Sequence, residues 1–229
     1  MHSWAAERHS VVSPPSEALS FTSHGRPISI EHFKAPHPAP QPAVLLLHGA
    51  DGVKAGRHYH LAAQVVAAAG YHAFLLHYLD RTGERRASYS EIGLNLPAWA
   101  ETVSDALTFV QDHSAVDPKR LALIGTSLGA GLAFRVAAQD GRVRALVSYF
   151  GFLPDSVRDM AKRLPPSLVL HGARDSIVPV SNAHAIRKLL EKLNVEHEVH
   201  VYPDQGHSFQ GLAQLDAADR TATFLHRHL

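Results

Sequence analysis

The sequence predicts an α/β domain with a mostly parallel sheet of about eight strands and helices on both faces. Short apolar segments alternate with longer helical patterns along most of the chain. This alternation indicates parallel strands, because the crossover between two parallel strands is usually a helix. The length of 229 residues and a hydrophobic content of 45% allow one sizeable core and leave little room for a second domain.

The chain is expected to open with an antiparallel pair of strands at 18–23 and 27–33, which flank the turn His24-Gly25. A proline-rich linker at 36–42 follows, and its alternating prolines favour an extended backbone. Further strands are predicted at 44–47, 73–77, 121–124, 145–149, 168–170 and 198–202. Helices are predicted at 59–69, 99–113, 128–138, 181–193 and 212–228.

Residues 1–17 differ from the rest of the chain in composition. They combine charges, histidines, serines and prolines, and they contain no apolar segment of the kind found in a secretory signal. This composition predicts a loosely ordered N-terminal arm, followed by a single domain over residues 18–229.

One turn carries the strongest functional signal. The apolar strand 121–124 runs into Gly125-Thr126-Ser127-Leu128-Gly129, and a helical pattern begins directly afterwards. Strand, G-x-S-x-G turn and helix together are typical of a nucleophile elbow, in which the serine hydroxyl stands at a helix N-terminus. Backbone N–H groups and the helix dipole favour a developing oxyanion there. We therefore predict that Ser127 is a nucleophile.

A serine nucleophile needs a base and an acid that orients the base. Asp175 follows the strand 168–170, and His207 follows the strand 198–202. Because the carboxyl ends of parallel strands meet at one edge of a sheet, both side chains are expected beside Ser127. The order serine, acid, histidine is the one that a nucleophile elbow requires. His207 is therefore the predicted base and Asp175 the predicted acid.

Two other aspartates are alternatives for the acid. Asp204 lies in the same loop as His207, where it is also a good turn former, and Asp155 follows the strand 145–149. Asp175 could likewise be only a turn residue.

These segments resemble the α/β-hydrolase fold and, within it, the dienelactone hydrolase family. The resemblance covers about residues 20–229 and is carried by the segments Ala43–Gly49, Gly125–Gly129, Leu168–Asp175 and Tyr202–Phe209. The family's nucleophile is a cysteine in a G-x-C-x-G-G elbow; here Ser127 takes its place, and Ala130 replaces the last glycine. The family's glutamate after the third strand falls at Gly49. These differences favour a general serine esterase on the same frame.

The elbow and the resemblance together imply an oxyanion hole. The expected donors are the backbone N–H of Leu128, directly after the nucleophile, and that of Ala50, in the loop after the strand 44–47. An ordinary glycine-rich connection is the alternative interpretation of this loop. His48 is expected to bond to the loop backbone.

The expected function is hydrolysis of small carboxylic esters or lactones through an acyl-enzyme. A thioesterase, a peptidase and a noncatalytic binding module on the same fold are the alternatives. Residues 151–166 are too few for a cap domain, so the site should be open and bounded by the loop 79–97. The arginines of that loop, Arg81, Arg85 and Arg86, could bind a substrate carboxylate or could be solvated.

Composition and residue spacing limit the kinds of partner and cofactor that we expect. A net charge of +1 gives no electrostatic case for nucleic acid or an anionic membrane, and no apolar run is long enough to span a bilayer. The absence of cysteine excludes disulfides and fits a cytoplasmic location. The pairs His58/His60 and His226/His228 lack the H-E-x-x-H spacing of a zinc site. We therefore expect a small-molecule substrate, with no metal and no cofactor.

Overall fold

The structure is a computed structural model that describes residues 16–38 and 40–229. The predicted N-terminal arm lies outside these residues, except for its last two positions. The strands are β1 (Glu17–Ser23), β2 (Arg26–Phe33), β3 (Gln41–Leu47), β4 (His72–Leu76), β5 (Val116–Thr126), β6 (Val143–Tyr149), β7 (Ser167–Gly172) and β8 (His197–Tyr202). The α-helices are α1 (His58–Ala68), α2 (Ile92–Gln111), α3 (Leu128–Ala137), α4 (Asp155–Met160), α5 (Ser181–Lys192) and α6 (Leu212–His228). Short 3₁₀ helices lie at Val53–Ala55 and Tyr78–Arg81.

The described strands form a single sheet in the order β1-β2-β4-β3-β5-β6-β7-β8. β1 pairs antiparallel with β2, and β2 pairs antiparallel with β4. All the later pairings, from β4 through β8, are parallel. The predicted fold is confirmed, and between β6 and β7 the chain adds the short helix α4 and no cap domain.

Helices cover both faces of the sheet and bury two apolar cores. Helices α2, α3 and α5 pack on one face, where Trp99, Leu132 and Ile186 are buried. Helices α1 and α6 pack on the other face, where Ala63 and Phe224 are buried. The central strands are therefore apolar on both sides, as strands buried between two helical layers must be.

The parallel register brings the carboxyl ends of five strands, β3, β5, β6, β7 and β8, to one edge of the sheet. Leu47 of β3 pairs with Gly125 of β5, and Thr126 of β5 pairs with Tyr149 of β6. At the same edge, Gly172 of β7 pairs with Tyr202 of β8, the last strand of the sheet. The loops that follow β3, β5, β7 and β8 consequently emerge side by side, where open α/β sheets bind their ligands.

Helix α2 differs most from the prediction. It begins at Ile92 and not at Trp99, and Pro97 lies inside it. Pro97 is the sixth residue of the helix, so its missing N–H removes one backbone hydrogen bond of the helix. The first turns also bury Leu96 and pack Ile92 against the core. The predicted loop 79–97 is therefore shorter, because its first residues form a 3₁₀ helix and its last residues belong to α2.

The other boundary differences are smaller, and two of them concern the first part of the sheet. β3 begins at Gln41, which pairs with Val116, so the end of the predicted linker joins the sheet. β1 begins at Glu17, inside the predicted arm. In the described part of the chain, no helix is long and apolar enough to cross a membrane.

Candidate active site

Ser127 stands at the turn between β5 and α3 in a strained backbone conformation. Its φ and ψ are 53° and −114°, a region that residues with a side chain rarely adopt. Its N–H donates to the carbonyl of Tyr149 over 2.9 Å, which ties the turn to the neighbouring strand β6. This geometry projects the serine from the sheet edge at the N-terminus of α3, as a nucleophile elbow does.

The two glycines of the turn are required by close packing. A Cβ at Gly129 would lie 2.2 Å from the carbonyl oxygen of Leu47, and one at Gly125 would lie 2.5 Å from Cα of Ala130. The glycines therefore let helix α3 press against β3 and against the end of β5. A side chain at either position would push the serine turn out of place.

His207 lies between Ser127 and Asp175. Its Nε2 atom is 2.9 Å from the Ser127 Oγ, and its Nδ1 atom is 2.8 Å from the Asp175 Oδ2. The structure thus brings together the three side chains predicted from the sequence, in a continuous hydrogen-bonded chain. The ring of Phe150 packs beside the imidazole, with ring centroids 5.0 Å apart.

The carboxylate of Asp175 is held rigidly by the loop that follows it. Its Oδ1 accepts hydrogen bonds from the N–H groups of Ile177 and Val178 over 2.9 and 2.8 Å, which leaves Oδ2 for His207. Its side chain is 0% exposed. The buried carboxylate therefore accepts hydrogen bonds from two backbone N–H groups and from His207, and buried polar groups need such partners.

His171, near the end of β7, also contacts the loop that holds Asp175. Its Nε2 atom lies 2.8 Å from the Val178 carbonyl oxygen, to which it donates, and 3.5 Å from the Asp175 Oδ2. Burial lowers the pKa of His171, so the imidazole is neutral at ordinary pH and does not form an ion pair with Asp175. The contact with Val178 therefore fixes the turn whose N–H groups hold the carboxylate.

Neither alternative acid lies beside His207. Asp204 forms an ion pair with Arg174 at 2.7 Å, and the side chains are 72% and 70% exposed, respectively. Asp155 begins helix α4 and pairs with Arg158 in solvent. The geometry favours Asp175 as the residue that could orient the imidazole.

The two predicted oxyanion donors flank Ser127 in one cleft. Ala50 and Leu128 both line the cleft that contains the serine. Among the described residues, neither backbone N–H has a hydrogen-bond acceptor within the protein. Free N–H groups next to a nucleophile are what an oxyanion hole needs.

A buried network of two tyrosines and one histidine holds the loop that carries Ala50. The Tyr59 hydroxyl accepts from the Gly49 N–H over 2.7 Å and donates to the Asp51 carboxylate over 2.6 Å. The Tyr78 hydroxyl donates to the His48 carbonyl over 2.8 Å, and its ring stacks on His48. Burial lowers the pKa of His48 to about 4, so this imidazole is neutral. Its Nδ1 atom lies 2.7 Å from the Gly49 carbonyl oxygen, as expected for a structural histidine.

The Tyr59–Asp51 pair also fills the space beside Gly49. A Cβ at Gly49 would lie 3.0 Å from the Tyr59 hydroxyl and 2.9 Å from the Asp51 Oδ1. This is the position at which the family resemblance implies a glutamate. In this chain a tyrosine from α1 and an aspartate from the same loop occupy that space.

We predict that Tyr59→Phe lowers kcat for a short ester roughly tenfold, because the loop that carries the predicted oxyanion donor Ala50 would lose one of its anchors. The measurement is steady-state turnover of a short p-nitrophenyl ester. Tyr71→Phe is the matched control, since Tyr71 is also buried but precedes β4 at the opposite end of the sheet. Equal rates in the two folded variants would contradict a supporting role for Tyr59.

The cleft beside Ser127 is small and mostly apolar. It has a volume of about 220 Å³. Its apolar wall consists of Ala50, Ile92, Leu128, Phe152, Ile177, Val178 and Pro179. Tyr89 and Ile92, from the segment predicted to bound the site, line the cleft, whereas Arg81, Arg85 and Arg86 do not.

Three residues near the site were missed by sequence reasoning. Tyr59 lies on α1, ten residues after Gly49, and no local sequence pattern shows that its hydroxyl reaches the Gly49 N–H. His171 stands four positions before Asp175 within the segment that carries the family resemblance, and that spacing is the one signal available for it. Phe150 follows β6 with a φ of 39°, which a sequence does not reveal.

His58 and His60 contact different carboxylates. His58 lies 3.8 Å from Asp51, and His60 lies 3.1 Å from the Glu31 Oε1, which also contacts His77. Within residues 16–38 and 40–229, no group of three or more histidine or carboxylate side chains is arranged to hold a metal ion.

Comparison with known proteins identifies the family. The model of the dienelactone hydrolase family matches residues 31–226. A provisionally named carboxymethylenebutenolidase of Yersinia pestis is 30% identical over 190 residues, which cover 76% of this chain and 70% of that protein. A protein of the same provisional name from Escherichia coli K12 is 26% identical over 222 residues, which cover 87% of this chain and 81% of that one.

A solved structure shows the same fold. The provisionally named dienelactone hydrolase of Klebsiella pneumoniae superposes with a TM-score of 0.81 at 20% identity, covering 93% of this chain and 98% of that one. The family model spans most of the chain, and the fold agrees over nearly its full length. The chain therefore belongs to the dienelactone hydrolase family and is a hydrolase of that family.

Proposed function

We propose that the protein is a serine hydrolase of small carboxylic esters or lactones and that Ser127, His207 and Asp175 are its catalytic residues. One observation carries the proposal: the His207 imidazole joins the Ser127 Oγ at 2.9 Å and the Asp175 carboxylate at 2.8 Å. A histidine in this position can take a proton from the serine while the carboxylate fixes its tautomer.

In the proposed reaction, Ser127 donates its proton to the Nε2 atom of His207 as its oxygen attacks the carbonyl carbon. The resulting oxyanion accepts hydrogen bonds from the N–H groups of Ala50 and Leu128. His207 then returns the proton to the leaving alkoxide, and the ester bond breaks. Water, deprotonated by His207, attacks the acyl-enzyme and releases the carboxylic acid together with the free serine.

The substrate in this proposal is a small molecule, and the protein acts without a metal or a cofactor. The cleft volume of about 220 Å³ supports a small substrate, since sites for larger ligands usually measure about 300–1,000 Å³. The cysteine-free composition supports a cytoplasmic location.

The proposal is tested by comparing three substrates with the same acetyl group: a p-nitrophenyl ester, a thioester and an anilide. We expect turnover of the oxygen ester, with labelling of the protein by a fluorophosphonate probe. Pre-treatment with the probe should abolish turnover. Turnover of the anilide or thioester with none of the ester, or ester turnover that survives complete labelling, would contradict the proposal.

A second prediction concerns the length of the acyl group. Efficiency should peak at about two to six carbons, because the open cleft offers no long apolar groove in which each further methylene would gain roughly 0.8 kcal/mol. The measurement is kcat/KM across p-nitrophenyl esters of increasing length. A steady rise from ten to sixteen carbons would reveal an apolar tunnel and would contradict this prediction.

A further inference from the structure

Among the described residues, those that line the cleft beside Ser127 have no charged side chain. Seven of its lining residues are apolar: Ala50, Ile92, Leu128, Phe152, Ile177, Val178 and Pro179. The polar side chains among the rest are the nucleophile itself, the phenol of Tyr89 and the amide of Asn182. Where a ligand touches the wall of this cleft, it therefore exchanges water mostly for hydrocarbon.

The amide of Asn182 is already engaged by the protein. Its Nδ2 donates to the carbonyl of Pro179 over 3.1 Å, and its Oδ1 accepts from the N–H of Leu153 over 3.3 Å. Asn182 thus fixes the cleft wall, and its remaining N–H is a neutral donor that cannot replace a counter-ion for a carboxylate. Tyr89 is 72% exposed and stands at the rim of the cleft.

The arginines around the site, among the described residues, lie outside the cleft wall. Arg81 lies 3.8 Å from the Glu101 carboxylate, and Arg174 forms its ion pair with Asp204. Arg85 and Arg86 are exposed and lie outside the cleft wall. Within the described residues, no lysine or arginine lines the cleft, so a carboxylate placed there would lose its hydration without gaining a counter-ion.

We propose that this cleft selects uncharged acyl esters and rejects acyl groups that end in a carboxylate. The inference rests on the proposed function and adds the charge class of its substrate. Burying an unpaired carboxylate against apolar walls is costly, whereas a methyl or methyl-ester terminus is not. We expect discrimination of at least about a hundredfold in kcat/KM between neutral and anionic acyl groups of equal length.

Three p-nitrophenyl esters separate charge from size. They are the hexanoate, the hydrogen adipate, whose six-carbon acyl chain ends in a carboxylate, and the methyl adipate, in which that carboxylate is masked. The expected result is efficient hydrolysis of the hexanoate and the methyl adipate, with kcat/KM for the hydrogen adipate at least about a hundredfold lower. Equal efficiency for the two adipates would overturn the inference, whereas failure of all three esters would overturn the proposed function.

A charge placed on the wall provides an independent test. Ile92→Arg introduces a cation into the cleft, and Ile92→Gln is the matched uncharged control. The arginine variant should raise the ratio of hydrogen adipate to methyl adipate efficiency at least about tenfold over the glutamine variant, since it supplies the missing counter-ion. An unchanged ratio in folded variants would mean that wall charge does not set the selectivity, which would also overturn the inference.

Discussion

Ser127→Ala is expected to abolish labelling by a fluorophosphonate and to lower kcat for short esters by about 10⁴ to 10⁶. The change removes only the hydroxyl whose oxygen lies 2.9 Å from His207. Alanine has no atom that can form the acyl-enzyme, so the covalent route is lost while the oxyanion hole remains. Turnover by purified variant and wild type, together with a thermal unfolding curve for each, measures the effect.

The matched control for this variant is Ser90→Ala, which removes the hydroxyl of an exposed serine in the segment beside the cleft. It should retain wild-type turnover and labelling. Substantial ester turnover by a folded Ser127→Ala protein would contradict the assignment of the nucleophile.

Asp175→Asn is expected to cut kcat by about 10⁴ and to leave the fold intact. An amide keeps the shape of the carboxylate, but its NH₂ group in place of Oδ2 would favour the wrong tautomer of His207. The Oδ1 position can still accept the N–H groups of Ile177 and Val178. The loss should therefore appear in kcat far more than in the melting temperature.

Asp204→Asn makes the same chemical change on an exposed aspartate that pairs with Arg174. Surface ion pairs of this kind contribute little, so turnover should change less than about twofold. A large loss in Asp204→Asn combined with a small loss in Asp175→Asn would show that the acid lies in the histidine's own loop.

The sheet and the meeting of Ser127, Asp175 and His207 could be predicted because their signals are local. Most strands are short apolar or alternating segments, and each of the three residues lies in the turn or loop that follows a strand. Parallel pairing then places these strand ends at one edge, whatever the details of packing. The G-x-S-x-G turn adds a second local signal, since Gly129 tolerates no Cβ against Leu47.

The supporting contacts could not be predicted, because they depend on how elements rotate against one another. Whether Tyr59 reaches Gly49 depends on the rotation of α1 about its axis. Whether Arg85 enters the cleft depends on the path of the short loop before α2. Pro97 favoured a late start for that helix, but packing of Leu96 and Ile92 outweighs the loss of one donor.

The central claim, that Ser127 is the nucleophile, is tested most directly by mapping the fluorophosphonate adduct. The wild-type protein is labelled, digested and analysed by peptide mass spectrometry, with the Asp175→Asn and Asp204→Asn proteins treated in parallel. We predict one adduct per chain, on Ser127, formed at the wild-type rate in Asp204→Asn and much more slowly in Asp175→Asn. An adduct on another residue, or none on a protein that hydrolyses esters, would contradict the account.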